Sequence, residues 1–235
     1  MSFEVNLTNA LQAAQIPFDA QKTEQLTVYH NHLLCFNEHT NLTAITDPDE
    51  MIQKHYIDSL LGLSLLPKEG KLVDVGCGAG LPSMPLKIFA PQLSVTLLDA
   101  SQKRLRFLEE VIQMLSLENI VTHHARAEDA GHDKALRASF DVAVSRAVAS
   151  LPTLLEYCLP LVKAGGKFLA YKGPGAAEEI ALAQGAMQKL GCKLEKDHEF
   201  SLSAGSSRHL LVFEKIGLCA PAYPRSPKQI KNKPL

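Results

Sequence analysis

The stretch Leu72-Val73-Asp74-Val75-Gly76-Cys77-Gly78-Ala79-Gly80-Leu81-Pro82 holds the residue types in this chain best suited to chemistry. Three glycines alternate after a short apolar run, and the proline that follows is placed to open a helix. A second apolar run, Val95-Thr96-Leu97-Leu98, ends on an acid, Asp99. A glycine turn at a helix N-terminus lets a ligand approach the backbone closely, and a carboxylate on the next strand can grip ribose hydroxyls. Together they describe a nucleoside-cofactor site. The dinucleotide fingerprint Gly-x-Gly-x-x-Gly needs a third glycine for close helix–strand packing. Counted from Gly76 that position is Leu81, and counting from Gly78 also fails to supply it. What stands here is Asp-x-Gly-x-Gly-x-Gly, the form found in S-adenosylmethionine (SAM) enzymes, whose ligand has no pyrophosphate to cradle. Asp74 fits a partner for the ligand's amino group, directly or through backbone and water. Asp99 fits its ribose. Cys77, inside the turn, has no adjacent base and reads as a small residue whose backbone matters.

Such a turn needs a sheet beneath it. Strands are expected over 71–75, 94–99, 120–123, 140–145 and 166–172, and helices over 82–89, 102–115 and 151–162, with an irregular short segment near 133–136. Each strand–helix pair spans roughly twenty to thirty residues, the spacing of βα units in a parallel sheet. A further helix over 176–190 precedes two runs, 192–200 and 208–214. Their link, Ser201 to Ser207, is too short for a crossover helix and makes them antiparallel. Before the sheet, Leu26, Tyr29, Leu33, Leu34 and Phe36 recur at helical spacing. Asp47-Pro48-Asp49-Glu50 reads as a helix start. The expected fold is α/β, the class I SAM-dependent methyltransferase (Rossmann-like) fold: a mostly parallel seven-stranded sheet with an antiparallel last strand, plus an N-terminal helical region. Residues 1–66 form that region, packed on a SAM-binding domain over 67–216, and 217–235 form a basic tail.

The 235 residues are 46% apolar and 21% charged, ordinary for a globular protein. No run of eighteen apolar residues suggests a membrane span, and the first nine residues carry Glu4 and no base, unlike a secretory leader. Five cysteines, odd in number and far apart, fit a reduced cytoplasmic protein without zinc. Charge is unevenly spread. Residues 1–66 hold two lysines against eight acids, a net of −6, and the rest carries +5. From Lys215 onward there are Arg225, Lys228, Lys231 and Lys233 and no acid. That asymmetry fits either a polyanion partner or a solvated basic tail.

Beyond the glycine turn and Asp99, further ordered motifs are present: Phe36-Asn37, Asn41-Leu42-Thr43, Lys54-His55-Tyr56-Ile57-Asp58-Ser59-Leu60, Lys103-Arg104-Leu105-Arg106-Phe107-Leu108, Arg126-Ala127-Glu128-Asp129, Ser145-Arg146-Ala147-Val148-Ala149-Ser150-Leu151, Lys172-Gly173 and Tyr223-Pro224-Arg225. Over essentially its full length the chain resembles the RsmG (GidB) family of bacterial 16S rRNA methyltransferases. The resemblance implies methyl transfer from SAM to N7 of one guanine in 16S rRNA of the small ribosomal subunit. It implies cofactor contacts by Gly76 and Leu81, with Gly78 and Gly80 of the same turn also expected to bind, an adenine-side wall from Ala127 and Glu128, and Arg146 as both a cofactor-binding residue beside the methyl donor and a positioner of the target base. The tryptophan usual before the first motif's asparagine is Phe36 here, and the tail's proline–glycine pattern is altered at Ser226-Pro227-Lys228-Gln229-Ile230.

The residues also bear on which atom receives the methyl. Enzymes acting on exocyclic amines commonly carry an Asn/Asp-Pro-Pro-aromatic box after the fourth strand, where this chain has Ser145-Arg146-Ala147-Val148. Carbon-5 methylation of pyrimidines needs a nucleophilic cysteine, and Cys158, mid-helix between Tyr157 and Leu159, reads as core. Guanine N7 has no proton to lose and needs only in-line alignment, so no general base is expected. The planar fork of Arg146 suits guanine O6 or a phosphate; the competing reading is a salt bridge to Asp74 or Glu128 that orders the pocket. Because the major groove of A-form RNA is narrow, the target must lie in a loop or be splayed out. Candidate RNA contacts are Lys103, Arg104, Arg106, Lys172, Arg208 and Arg225, against the reading of such charges as solvated faces. His55 and Asp58 share a helix face and suit docking of the helical region onto the sheet better than a metal site. A monomer without metal, acting away from membranes, is the expectation. Two other readings stand beside it: a SAM enzyme acting on another RNA, a protein or a small molecule, and an RNA-binding module without activity.

Overall fold

A computed structural model describes residues 2–201 and 207–235; of the link expected between the last two strands, 202–206 lie outside the described residues. Two helices open the chain, α1 (Phe3–Ala13) and α2 (Ala20–Thr40). Asp19 caps α2 by accepting from the Lys22 N–H at 2.8 Å, and Asn41 ends it in the left-handed conformation, φ 51°. Asp47 caps α3 (Pro48–Met51), accepting from the Glu50 N–H at 2.9 Å, with Pro48 in the first turn as its sequence implied. The helix then widens into a π-helical turn, Ile52–Ile57, before α4 (Asp58–Leu60). Such turns recur at functional sites, and this one carries His55 and leads straight into Asp58.

From Gly70 strands and helices alternate: β1 (Gly70–Val75), α5 (Ser83–Phe89), β2 (Leu93–Asp99), α6 (Gln102–Met114), β3 (Ile120–His124), α7 (Ala127–Ala130), β4 (Phe140–Arg146), α8 (Leu151–Cys158), β5 (Val162–Lys172), α9 (Ala176–Leu182), α10 (Gln184–Leu190), β6 (Cys192–Ser201) and β7 (Ser207–Lys215). The sheet order is β3-β2-β1-β4-β5-β7-β6, parallel except that β7 runs antiparallel to both β5 and β6. This is the sheet that the sequence pattern implied. Three details differ. The short helix is at Ala127–Ala130, not near 133–136, where the Asp133 carboxylate accepts from the Ala135 N–H at 2.8 Å and holds a turn instead. The helix expected over 176–190 breaks at Ala183, just before Gly185. β5 starts four residues early, its added residues meeting β4 through a register shift next to Gly165, φ 76°.

Alternation along the strands builds two cores. Leu72, Leu97, Val142, Val144, Leu169, Tyr171, Leu210 and Val212 face the side covered by α1, α2, α5 and α6, where Leu7, Leu26, Tyr29 and Leu33 are fully buried. The helical region is therefore continuous with one core of the sheet. Val73, Val75, Ala143, Phe168, Ala170, Leu211 and Phe213 face the other side, under Leu151, Leu154 and Leu155 of α8 and Ala186 and Leu190 of α10.

The last residues are docked rather than trailing. Arg137 donates to the carbonyls of Gly131, Cys219, Ala220 and Tyr223 at 2.6–3.0 Å, and Ile230 of α11 (Pro227–Asn232) is 1% exposed. Lys215 is likewise buried, giving its ammonium protons to the carbonyls of Leu159 and Val162.

Candidate active site

A cavity of about 540 Å³ opens beyond the C-terminal ends of β1 to β4. Between β1 and β4 the strand order reverses, the place where open α/β sheets bind ligands. The glycine turn forms its floor. The N–H groups of Gly76 and Cys77 both donate to Leu98 O, at 2.8 and 3.1 Å. The Gly78 N–H donates to Asp99 Oδ2 at 2.9 Å, and the Ser101 N–H to Asp99 Oδ1 at 2.8 Å. Turn and strand end are thus stapled together. From the helical region, Tyr29 reaches in and donates its hydroxyl to Ala79 O at 2.6 Å.

The three glycines do different work. Gly76 (φ 74°) lies under Val148, whose Cγ2 would be 2.6 Å from any Cβ. At Gly78 (φ 56°) a Cβ would meet only the Gly76 carbonyl, at 3.9 Å, so the space beside it is open to the cavity. Gly80 (φ 88°) does not line the cavity; a Cβ there would collide with Met84 and Leu108. The space where a side chain would stand at Gly80 is taken by the close packing of turn, α5 and α6.

Asp74 is fully buried beneath the turn and absent from the cavity wall, which leaves only the route through backbone or water. Neither carboxylate oxygen has a hydrogen-bond partner of good geometry, nor has the adjacent Ser83 hydroxyl. Burial pushes its carboxyl up to about 7, with Ser83 and Arg146 pulling the other way.

Asp99 lines the cavity as expected, with Gly76, Gly78, Leu81, Ala127 and Glu128. Tyr157 of α8 fixes the Glu128 carboxylate by donating to its Oε1 at 3.1 Å. Arg104 lines the same cavity, its Nη1 3.6 Å from Asp99 Oδ2, and the exposed Arg126 stands opposite on the third strand's loop. A carboxylate at the end of β2, free space beside Gly78 and a wall with one fixed carboxylate make a cavity of a size and character that suit the nucleoside half of SAM.

Three residues, His55, Arg146 and Ala147, also line a second cavity of about 400 Å³, bounded further by Lys54, Asp58, Tyr171, Lys172 and Arg208. Arg146 does not pair with Asp74 or Glu128. Its Nη1 donates to Asp58 Oδ2 at 2.8 Å and to Lys54 O at 3.1 Å. The salt bridge to Asp74 or Glu128 expected as the competing reading is not formed; the partner is Asp58, from the helical region. His55 Nε2 meets Thr43 Oγ1 at 2.8 Å, and burial, reinforced by Arg146, lowers its pKa to about 4. His55 is therefore neutral near pH 7.

The basic candidates separate. Arg104 and Arg208 border the cavities, and Arg106 is exposed on α6 away from them. Lys103 instead donates to His39 O at 2.9 Å, tying α6 to α2. Lys172 is paired with Glu179 at 2.7 Å, its side chain 8% exposed. Arg225 holds the wholly buried Glu156 with Nε and Nη2, at 2.8 and 2.7 Å. Local carboxylates thus engage Lys172 and Arg225, as Asp58 engages Arg208.

Residues 22–211 match the family model GidB, rRNA small subunit methyltransferase G. The chain belongs to this family. A relative from Alkaliphilus metalliredigens (strain QYMF) is 44% identical over 238 residues, covering 100% of both chains; one from Desulfitobacterium hafniense (strain Y51) is 45% identical over 226 residues, covering 95% of this chain and 94% of its own. Both are named ribosomal RNA small subunit methyltransferase G. Among solved structures, M. jannaschii TYW2 in complex with AdoMet superposes with a TM-score of 0.57 at 17% identity, over 70% of this chain and 77% of that one. The ribosomal protein L11 methylase of Lactobacillus delbrueckii subsp. bulgaricus gives 0.54 at 16% identity, over 70% and 79%. These two likenesses establish the fold of the GidB-family chain.

Sequence reasoning gave no site role to Thr43, Arg126, Val148 or Tyr157, which all line the donor cavity. Thr43 had a visible signal. Asn37 clasps it through both side-chain atoms, Oδ1 accepting its N–H at 2.9 Å and Nδ2 donating to its carbonyl at 3.0 Å, and both belong to the early motifs. For Tyr157, alone on an apolar helix, no sequence signal pointed to the site.

Proposed function

We propose that this chain transfers the methyl group of S-adenosylmethionine to N7 of a guanine in 16S rRNA of the small ribosomal subunit. The observation that carries the reading is the shared wall: Arg146, His55 and Ala147 border both the nucleoside-type cavity and the more basic cavity beside it. SAM supplies an electrophilic methyl on a sulfonium. Asp99 takes the ribose hydroxyls, the backbone of Gly76, Gly78 and Leu81 supports the ligand from below, and Ala127 and Glu128 wall its adenine. The remaining N–H groups of Arg146 hydrogen-bond guanine O6 and leave the N7 lone pair unoccupied, as transfer to that atom requires.

The acid–base inventory supports the same atom. Every carboxylate bordering the two cavities is engaged: Asp58 by arginines, Asp99 by two backbone N–H groups, Glu128 by Tyr157, and Glu179 by Lys172 and the Leu151 N–H. Each thus holds a wall of its cavity, and N7 transfer needs no proton removed. A neutral His55 adds no positive charge beside a cationic donor. Arg104 and Arg126 at the cavity mouth and Arg208 in the second cavity give the phosphates of a splayed RNA segment cationic partners. We read the enzyme as a monomer, since no residue of the proposed site calls for a second copy. Among the described residues no helix is long and apolar enough to cross a membrane, and we place its action in the cytoplasm, with the ribosomal subunit.

The test is nucleotide mapping of 16S rRNA from matched strains with and without the gene. Loss of a single N7-methylguanosine is expected. An unchanged RNA, or loss of a methyl from an exocyclic amine, contradicts the reading.

A further inference from the structure

Asp58 stands at the start of α4 and is 3% exposed, yet it meets two arginines from distant parts of the chain. Arg146 closes β4, and its Nη1 lies 2.8 Å from Asp58 Oδ2; Arg208 opens β7, and its Nε lies 3.4 Å from Asp58 Oδ1. Between those strands runs β5, whose Tyr171 pairs with Arg146 on one side and Leu210 on the other. One carboxylate from the helical region therefore spans three strands, above the C-terminal ends of β4 and β5 and the start of β7. Tyr171 secures the neighbouring turn by donating its hydroxyl to Ser59 O at 2.8 Å.

The manner of anchoring matters. Nη1 of Arg146 makes both of its protein bonds, to Asp58 and to Lys54 O, while Nε and Nη2 have no protein partner among the described residues. A guanidinium is planar and rigid, so fixing one terminal nitrogen fixes where the other N–H groups point. A salt bridge serving only to dock the helical region would occupy more of the fork. Here one corner is pinned and the rest is left on the wall common to both cavities.

We infer that Asp58 is a positioning residue for methyl transfer: it orients Arg146, with Arg208 beside it, toward the acceptor base, and takes no part in holding the methyl donor. The inference rests on the acceptor reading of the second cavity given above. A buried carboxylate between two guanidinium groups fixes both without itself touching the substrate. Removing its charge frees Arg146 to turn away toward solvent, so the loss falls on transfer and not on SAM binding.

A double-mutant cycle on the full-length protein tests this, using small-subunit particles that lack the modification, labelled SAM, and calorimetric SAM affinity for each variant. Asp58→Asn is expected to lower kcat by about 30- to 100-fold with SAM affinity within about twofold of the parent, and Arg146→Gln to lower it about 1000-fold. The double variant is expected to be no worse than Arg146→Gln alone, because both changes remove one interaction. Asp58→Glu, which keeps the charge, is expected to retain more activity than Asp58→Asn. Multiplying losses in the double variant, equal losses in the Asn and Glu variants, or SAM affinity falling in step with kcat would overturn the inference. If Asp58→Asn does not fold, Asp58→Glu combined with Arg146→Lys runs the same cycle. Failure of the parent protein to methylate the particles would instead defeat the acceptor reading itself.

Discussion

The two cavities that meet at Arg146 are built by opposite means. The donor side is made of backbone: a turn with three positive-φ glycines, stapled by three N–H groups to Leu98 and Asp99, all between residues 76 and 99. The acceptor side is made of charged side chains brought together across 88 residues in the Asp58–Arg146 bond, and further still in the contact with Arg208. A backbone cradle suits a small cofactor of constant shape, because amides cannot turn away. A side-chain site can be assembled only once the helical region has docked on the sheet. The comparison implies that the two sides fail separately when mutated.

Arg146→Gln gives the largest separation. Methyl transfer to small-subunit particles is expected to fall about 1000-fold while calorimetric SAM affinity changes by less than about threefold. Parallel loss of both would merge the two sides into one. Next comes Asp74, whose buried carboxyl has a folded pKa of about 7 against 3.8 when unfolded. A raised carboxyl pKa means the folded state holds its proton longer, so stability falls as pH rises from about 4 to about 7. Asp74→Asn abolishes that fall, and its stability relative to the parent is expected to improve by on the order of 4 kcal/mol across that window, read by urea denaturation at each pH. A constant difference would place a partner on the Asp74 carboxylate.

Asp99→Ala removes two backbone staples and the ribose contact, and SAM affinity is expected to fall about 100-fold, or about 3 kcal/mol. The smallest effect is expected for Tyr29→Phe, which loses one buried hydrogen bond to the glycine turn. SAM should bind about fivefold more weakly, roughly 1 kcal/mol, with the kcat of transfer from saturating SAM unchanged. A loss in kcat there would show the helical region acting on both sides through one route.

What sequence could convey follows the same division. The glycine turn and Asp99 lie in order along successive βα units, so periodicity and spacing pointed to them, whereas Ala127 and Glu128 at the start of α7 were reached only through the family resemblance. The sheet order followed from the same alternation. Gly80 packs against Met84 and Leu108 and Asp74 is buried beneath the turn, which a motif alone does not tell, because it does not say which of its residues point down into packing. Arg146 was singled out, but its partner was not. Asp58 sits on a helix whose pattern predicts docking, and nothing in a linear chain tells that its carboxylate crosses three strands. Lys172 and Arg225 read as free cations only because Glu179 and Glu156 reach them through the fold.

The most direct measurement sets SAM titrations by calorimetry beside transfer rates for the parent, Asp99→Ala and Arg146→Gln. The account predicts that Asp99→Ala loses SAM affinity and that Arg146→Gln binds SAM like the parent yet leaves the guanine of 16S rRNA unmethylated. Weak SAM binding by Arg146→Gln, or normal methylation by it, would contradict the separation of donor and acceptor on which the account stands.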